Sequence, residues 1–289
     1  EKKKERVQNK NGTLNTASHR ISEERKRARN VRTYSFRVLA DLLYRHPQFE
    51  FHMYSNDLVY IMEPLLLRLS NECGASTPPV ILQVVASLSS SYHLLLTFLS
   101  VEESTSCLKF VWEILKAEVA SEQSRVMCLD IAENLVNHVE NDNVRKKNLA
   151  KQILVKHSKE LFESLQILVS HPNCSSKCMK SQLNLNLERT LLLISRLSHT
   201  LGGKNAVFAT IISLKRLARS PRLDEGMLSK LLSAFSTAFL DSSAIMNSKD
   251  VEKFWALITP FLCKVRNVKV RSELVHALSI LANNLDSLC

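Results

Sequence analysis

The chain of 289 residues is predicted to be all-α, an α-solenoid of stacked antiparallel helical hairpins. After residue 29 the apolar residues recur at intervals of three and four, which is the period of an amphipathic helix. The whole chain has only five Gly and seven Pro, and alternating runs of β-branched and aromatic residues bounded by Gly are absent. Short polar turns separate the apolar stretches, so successive helices are expected to be antiparallel neighbours.

Eleven helices are predicted. The first begins near Ser22, where Ser22-Glu23-Glu24-Arg25 resembles a capping box, and ends before His46-Pro47 because a residue before Pro disfavours the helical conformation. Its apolar stripe consists of Val31, Tyr34, Val38, Leu39, Leu42 and Leu43. The second helix has the stripe Leu58, Ile61, Met62, Leu65, Leu66 and Leu69.

Pro78-Pro79 then interrupts the pattern, as prolines between helices commonly do. A nearly continuous apolar helix follows over residues 80–99, and we expect it to bend at the serines 89–91. The same period of three and four continues in eight further segments. These are 101–119, 123–139, 144–169, 180–201, 206–218, 223–240, 251–265 and 268–288.

Three of these helices share a faint internal repeat, in which an Arg is followed by apolar residues at +6 and +7 and by Leu at +10. The repeat begins at Arg32, Arg125 and Arg271. A basic residue near the start of the second helix of a pair, followed by such a stripe, is typical of HEAT-type repeats, although any amphipathic helix with an Arg in its first turn would also match. The repeat favours a HEAT-like or armadillo-like architecture.

Positive charge is concentrated at the start of the chain. The net charge is +11, and residues 1–30 contain ten Lys and Arg against four Glu. Residues 1–20 have only Val7 and Leu14 as large apolar side chains, too few to offset the conformational entropy lost on ordering. We therefore predict a basic, disordered arm or linker over 1–22 and a helical repeat segment of a longer polypeptide over 23–289.

The motifs of common enzymes are missing from the sequence. Gly202-Gly203 is the one pair of adjacent glycines, and it does not have the spacing of a P-loop. No G-x-S-x-G, H-E-x-x-H or C-x-x-C motif occurs, and no apolar stretch reaches the length of a membrane helix. We expect no catalytic residues, no cofactor, no small-molecule substrate and no membrane partner.

Cysteines are expected to be reduced packing residues rather than ligands or nucleophiles. Their number, seven, is odd, and Cys107, Cys128 and Cys263 fall on or beside apolar helix faces. His171, Cys174 and Cys178 form the one cluster that resembles a metal site. Zinc needs four ligands, and a second closely spaced pair has no obvious source, so a polar loop is the favoured interpretation and no metal is expected.

Basic clusters are the strongest candidates for a binding site, through contacts with phosphates. The predicted contact residues are Lys215, Arg216, Arg219 and Arg222, together with Arg145, Lys146 and Lys147 from a second cluster that also includes Lys151. Lys264, Arg266, Lys269 and Arg271 form a third cluster. In a solenoid such turns can align along one edge, although a solvated helix face is the alternative for each cluster. Aromatic residues do not interleave with them, so base stacking is not indicated.

Acidic pairs have a simpler interpretation. Glu102-Glu103 and Asp224-Glu225 stand at predicted helix starts, where the helix dipole favours negative charge. This explanation is sufficient, and no acid-base role is predicted for them.

Several segments resemble a known family. RNVRTYSFRVLADLL, residues 29–43, is similar to an arginine-marked helix in the central region of the small-subunit processome component 20 family, which are very large HEAT-repeat proteins. LDIAENLV (129–136), LISRLSH (193–199) and WALITPFL (255–262) are similar to later stretches of that region in the same order. The resemblance covers roughly residues 29–289 and leaves the basic arm unmatched.

The resemblance implies a non-catalytic nucleolar scaffold. Such a protein belongs to a U3 small nucleolar ribonucleoprotein assembly, the small-subunit processome, and supports 18S rRNA maturation. The implied partners are other pre-ribosomal assembly proteins and the backbone of pre-rRNA or U3 RNA. The alternative from the sequence is a HEAT-repeat adaptor for nuclear transport, chromosome organisation or a large kinase complex.

Overall fold

A computed structural model describes residues 2–45, 60, 79–99, 104–117, 120–141, 144–170, 180–220, 223–243 and 246–286. Within these ranges the chain forms α-helices and one 3-10 helix, and no strand, which confirms the predicted all-α class. Of the predicted helix over 58–69 only Tyr60 is described, and it is helical, while the cluster of His171, Cys174 and Cys178 lies outside the described residues.

The described helices are α1 (Lys2–Arg45), α2 (Pro79–Ser90), α3 (Tyr92–Leu99), α4 (Ser104–Lys116), α5 (Glu122–Glu140), α6 (Val144–Lys156), α7 (Ser158–Ser170), α8 (Lys180–Leu201), α9 (Gly203–Ala218), α10 (Glu225–Leu240), α11 (Ser248–Ile258), a 3-10 helix (Thr259–Cys263) and α12 (Val268–Asp286). None of them has the length and apolar character needed to span a membrane, within the part of the chain that is described.

Three predicted helices are interrupted. The expected bend at the serines is confirmed, because Ser91 separates α2 from α3 and its hydroxyl accepts the N–H of Leu94 at 3.3 Å. The helix predicted to run unbroken over 144–169 divides at His157 into α6 and α7. The helix predicted over 251–265 ends at Ile258 and continues as a 3-10 turn, since Pro260 lacks the N–H that an α-helix would use.

The helices contact one another in two series. In the first series α1, α2, α5, α8, α10 and α12 each contact the next member, and in the second series α4, α7, α9 and α11 do so. Pairs of consecutive helices, α4–α5, α7–α8, α9–α10 and α11–α12, join the two series. Helix α6 is an addition between two such pairs and packs on α5 and α8.

Hydrogen bonds fix the direction of α5 against α8. The Arg189 guanidinium binds Asp130 and Glu133, with Nη2 at 2.6 Å from Asp130 Oδ1 and Nε at 3.0 Å from Glu133 Oε1. Seven residues further along both helices, Arg196 Nε lies 2.9 Å from Glu140 Oε1. Because both helices advance by seven residues, or about two turns, between the two contacts, α5 and α8 run parallel and in register.

Side chains also bond to main-chain carbonyls of the neighbouring helix in the same series. Three of the donors are serines that are almost completely buried. The bonds run from Ser87 to Ala40 (3.2 Å), from Asn134 to Ala86 (3.0 Å), from Ser164 to Trp112 (2.9 Å) and from Ser195 to Lys230 (3.0 Å). They satisfy polar groups that would otherwise be buried without a partner, and so favour one register between adjacent helices.

The glycine pair makes the tight turn between α8 and α9. Gly202 and Gly203 have φ of 61° and 82°, in the left-handed region that other residues rarely adopt. A Cβ on Gly202 would lie 2.5 Å from Asp241 Oδ2. The pair therefore allows the chain to turn within a single residue, Gly202, between the end of α8 and the start of α9.

Helix α1 differs from prediction in the direction of its apolar stripe. Leu39 and Leu43 turn towards the core, as expected, but Val31, Tyr34, Val38 and Leu42 are exposed. Ala40 is fully buried, and its carbonyl accepts the Ser87 bond. Ala40 lies on the face that packs on α2, so the predicted stripe is divided between the core and the outside.

The backbone of α1 is helical from Lys2 to Arg45. A single helix therefore crosses the proposed boundary between a basic arm, 1–22, and a repeat segment, 23–289. The helix begins 20 residues before the start predicted near Ser22, and the division into an arm and a repeat segment stays a prediction.

Candidate phosphate-binding edge

The first basic cluster lies at the end of α9. Lys215 and Arg216 are in its last turn, and Arg219 caps it, with its N–H bonded to the carbonyl of Arg216 at 3.2 Å. Leu214 and Leu217 are buried and direct the neighbouring cations outwards. Lys215 and Arg219 are exposed, Arg216 is half-buried, and none of the three is within ion-pair distance of a carboxylate of the described residues.

Other predicted contact residues are described less completely. Arg222 lies outside the described residues. Arg145, Lys146 and Lys147 are in the first turn of α6, where Lys147 is exposed and the side chains of Arg145 and Lys146 are not described.

The structure does not bring these two clusters together. Glu140, the last residue of α5, binds Arg196 near the end of α8, and α6 begins only four residues after Glu140. Helix α9 starts at this same end and extends for 16 residues, about 24 Å, to the cluster at Lys215 and Arg219. The two clusters therefore lie at opposite ends of the helical layers rather than along one edge.

The third cluster, in contrast, lies beside the first. The Glu225 carboxylate, at the start of α10, accepts the backbone N–H of Arg266 at 3.0 Å and that of Asn267 at 2.9 Å. Glu225 is six residues after Arg219, so this contact brings the turn before α12 to the end of α9. We call Lys215, Arg216, Arg219, Lys264, Arg266 and Lys269 the basic edge.

The turn before α12 is well ordered by its own bonds. Asn267 Oδ1 accepts the N–H of Lys269 at 2.9 Å, and Arg271 Nη2 donates to the carbonyl of Val265 at 2.9 Å. Lys264, Arg266 and Lys269 remain exposed. Their backbone is therefore fixed while their charged ends point to solvent, an arrangement suited to phosphate contacts.

Glu225 is the residue of this site that the sequence did not reveal. The prediction of a helix start is correct, since Asp224 caps α10 by accepting the N–H of Met227 at 3.0 Å. The contact of Glu225 with the turn 266–267 spans 41 residues, and no local pattern indicates it. The two backbone hydrogen bonds lower the pKa of Glu225, with a smaller contribution from the nearby guanidinium groups of Arg266 and Arg271.

The lowered pKa of Glu225 predicts a specific dependence of stability on pH. The carboxylate stabilises the fold above its unfolded-state pKa, and this contribution is lost as the pH falls through the lower pKa of the folded state. We expect E225Q to lower the melting temperature at about pH 6, and the difference from the unmodified chain to shrink towards about pH 3. Thermal unfolding followed by circular dichroism tests this, and a difference that is constant with pH would contradict it.

Cysteine environments agree only in part with prediction. Cys107 and Cys128 are buried, as expected of packing residues, and burial raises the pKa of Cys107 to about 12 and also raises that of Cys128. Cys263 was predicted to pack but is exposed, because the 3-10 turn rotates it away from the core while Phe261 is buried. No group of three His, Cys, Asp or Glu is arranged to hold a metal among the described residues.

A groove of about 450 Å³ between α1, α2 and α5 is lined by Asp41, Asp130 and Glu133. These carboxylates already have cationic partners, since Asp130 and Glu133 bind Arg189 and Asp41 lies 3.3 Å from Arg45. The three carboxylates that line the groove are therefore held in ion pairs rather than free to act as an acid or a base.

A family profile described as U3 small nucleolar RNA-associated protein 20, N-terminal, matches residues 2–289. The chain belongs to this family. The match confirms the small-subunit processome family that the sequence segments indicate. The match also includes the basic arm, which the resemblance of the sequence segments left unmatched. A comparison with curated protein sequences finds no match.

Membership of the U3 small nucleolar RNA-associated protein 20 family implies a role in ribosome biogenesis, in the U3 ribonucleoprotein or small-subunit processome. It also implies association with pre-ribosomal components and a nuclear or nucleolar location. The family consists of ribosome-biogenesis components, and it is not known as a family of enzymes.

Proposed function

We propose that this segment is a non-catalytic α-solenoid scaffold of the small-subunit processome. It would support 18S rRNA maturation by contacting assembly proteins and the backbone of pre-rRNA or U3 RNA in the nucleolus. The observation that carries the proposal is the pair of helix series, in which each hairpin packs on the next. That pattern is expected of HEAT-like or armadillo-like repeats, whose extended surface suits many weak contacts.

The basic edge supports the RNA part of the proposal. Its cations are mostly exposed, they come from three helix ends, and the contact at Glu225 holds two of the clusters side by side. Aromatic side chains are not part of the edge, so contacts with phosphates rather than with bases are proposed. Such contacts position RNA without reading its sequence. Arg222, Arg145, Lys146 and Lys147 stay proposed contact residues.

Removing charge from the basic edge tests the RNA part. We expect the triple variant K215A/R216A/R219A to bind a structured pre-rRNA fragment about tenfold more weakly at about 0.1 M salt. Each Lys or Arg that contacts a phosphate releases a counterion from the RNA, and this release favours binding. The variant loses that contribution at three positions. The slope of log affinity against log salt should become less steep by about 0.7–0.9 for each phosphate that is no longer neutralised. Fluorescence anisotropy over a series of salt concentrations measures both quantities.

A matched control removes the same charge elsewhere. Lys109, Lys159 and Lys249 are exposed on α4, α7 and α11, so K109A/K159A/K249A lowers the net charge equally without touching the basic edge. Equal reductions of affinity in the two triple variants would show attraction by net charge alone. In that case the basic edge would not be an RNA site.

Purification of the endogenous full-length protein tests the scaffold part. We expect U3 RNA and small-subunit precursors to be recovered with it, and its distribution in cells to be nucleolar. Recovery with acidic protein partners but without U3 RNA or pre-ribosomal RNA would favour the adaptor alternative.

A further inference from the structure

Helix α1 carries an apolar patch that faces away from the described helix on which it packs, α2. The patch consists of Val31, Tyr34, Val38 and Leu42, which are 67%, 70%, 51% and 46% exposed. Their spacing of three, four and four residues places them on one face of the helix. We call these four residues the outer patch. Contiguous exposed apolar side chains of this kind are typical of interaction sites.

The outer patch is distinct from the side of α1 that packs on the core. Phe36 and Leu39 are half-buried and Ala40 and Leu43 are fully buried on that side, which contacts α2. At about 100° per residue, the outer patch lies roughly 150° around the helix from these residues. The exposed side chains are therefore not the margin of the core contact, and α1 is apolar on two separate sides.

Arginines stand at both ends of the outer patch and on the same face. Arg27 precedes Val31 by four residues, and Arg45 follows Leu42 by three. They are 18 residues apart, which corresponds to about 27 Å along the helix. Arg27 pairs with Glu23 at 3.8 Å, and Arg45 pairs with Asp41 at 3.3 Å. Both are exposed i,i+4 ion pairs, which contribute little to stability. The two arginines can therefore exchange these carboxylates for those of another molecule.

The charge of α1 as a whole indicates the sign of the partner. Residues 2–45 contain thirteen Lys and Arg against four Asp and Glu, so this helix carries most of the excess positive charge of the chain. Pairing with α1 of a second copy would bring two strongly basic helices together. RNA would match the charge but would leave the four apolar side chains without apolar contacts. An acidic protein helix satisfies both features.

We propose that the outer patch binds an amphipathic helix of another protein, with an apolar stripe that has Asp or Glu at both ends, about 27 Å apart. Tyr34, the one aromatic residue of the outer patch, is the principal apolar anchor, since aromatic residues dominate the energetics of such contacts. Arg27 and Arg45 fix the position of the partner by pairing with its terminal carboxylates. This interaction is independent of the basic edge.

A synthetic helical peptide tests the proposal. The probe has about 22 residues, with Leu at helical spacing in its centre and two Glu at each end, and a second peptide carries Lys in place of every Glu. Fluorescence anisotropy with the whole 289-residue chain should show binding of the Glu peptide that is at least about tenfold tighter than that of the Lys peptide. Substitutions Y34A and V38D should each weaken it about tenfold or more.

The controls separate the outer patch from general effects. Val155 on α6 is 54% exposed, so V155D introduces the same charge at an equally exposed valine and should leave binding unchanged. The double variant R27E/R45E alters surface positions only and should reduce the preference for the Glu peptide over the Lys peptide. It keeps the proposal testable if V38D fails to fold.

Each of the following results would overturn the proposal. They are equal affinity for the two peptides, equal effects of V38D and V155D, a concentration-dependent dimer that V38D abolishes in sedimentation, and loss of RNA rather than peptide binding in V38D. A photo-crosslinker at position 38 that reacts with residues 46–78 of the same chain would likewise show that the patch has an intramolecular occupant.

Discussion

Replacement of Phe254 by Ala is expected to lower the free energy of unfolding by about 3–5 kcal/mol. Phe254 is 3% exposed, and its ring centroid lies 5.8 Å from that of Phe208 and 6.0 Å from that of Phe235, with edge-to-face geometry in both pairs. Phe239 completes the cluster at 6.4 Å. Edge-to-face pairs contribute about 0.5–1.5 kcal/mol beyond the burial of area.

The effect of F254A should be local as well as large. Phe254 is on α11, Phe208 on α9, and Phe235 and Phe239 on α10, so the cluster joins the last hairpin to the preceding one. A helical hairpin that contacts mainly the hairpins next to it in the chain is stabilised mainly by those contacts. Amide hydrogen exchange should therefore become faster in α11 and α12 than in α4 and α7.

Trp255 provides the matched control for F254A. It is the next residue on the same helix but is 36% exposed. We expect W255A to cost less than about 1 kcal/mol in urea unfolding, because the Trp255 ring is partly in solvent rather than in a closely packed interior. Equal destabilisation by the two substitutions would contradict the packing of Phe254 among the rings of α9 and α10.

Replacement of Arg189 by Met is expected to destabilise the chain by about 2–4 kcal/mol. The guanidinium makes charge-assisted bonds with two carboxylates of α5, including Nη2 to Glu133 Oε2 at 2.8 Å, and its side chain is 24% exposed. The bonds to Glu133 and Asp130 raise the pKa of Arg189 against the effect of burial. Met fills a similar volume but leaves Asp130 and Glu133 without their cation.

Arg196 is the natural comparison for Arg189, because it makes the equivalent contact seven residues further along. Its partner Glu140 is half exposed, so solvent screens the pair more effectively. We expect R196M to cost about 1 kcal/mol or less in urea unfolding. If R189M lowered the free energy of unfolding no more than R196M does, the result would contradict the view that Asp130 and Glu133 fix the register of α5 against α8.

Helix content follows from local pattern, and most helices were therefore predictable. The stripes of 123–139, 180–201 and 223–240 match α5, α8 and α10 closely, because a period of three to four apolar residues is a property of a short stretch of chain. The division of 144–169 was missed, although five polar residues, Lys156 to Glu160, separate Val155 from Leu161. Helices α6 and α7 pack on different neighbours, α6 on α5 and α8, and α7 on α4 and α9.

Candidate site residues show the same contrast. The sequence indicated which stretches are basic, since charge can be counted residue by residue. It did not indicate that the cluster at Lys264, Arg266 and Lys269 lies beside Lys215 and Arg219. That juxtaposition depends on the contact of Glu225 with a turn 41 residues away.

Helical class, basic composition and family membership are thus encoded in short-range patterns of residues that can be read without coordinates. The grouping of cations, the exposure of the outer patch and the parallel register of α5 and α8 arise from contacts between residues far apart in the chain. Such contacts depend on how whole helices dock, and docking is set by the summed fit of many side chains rather than by any one segment.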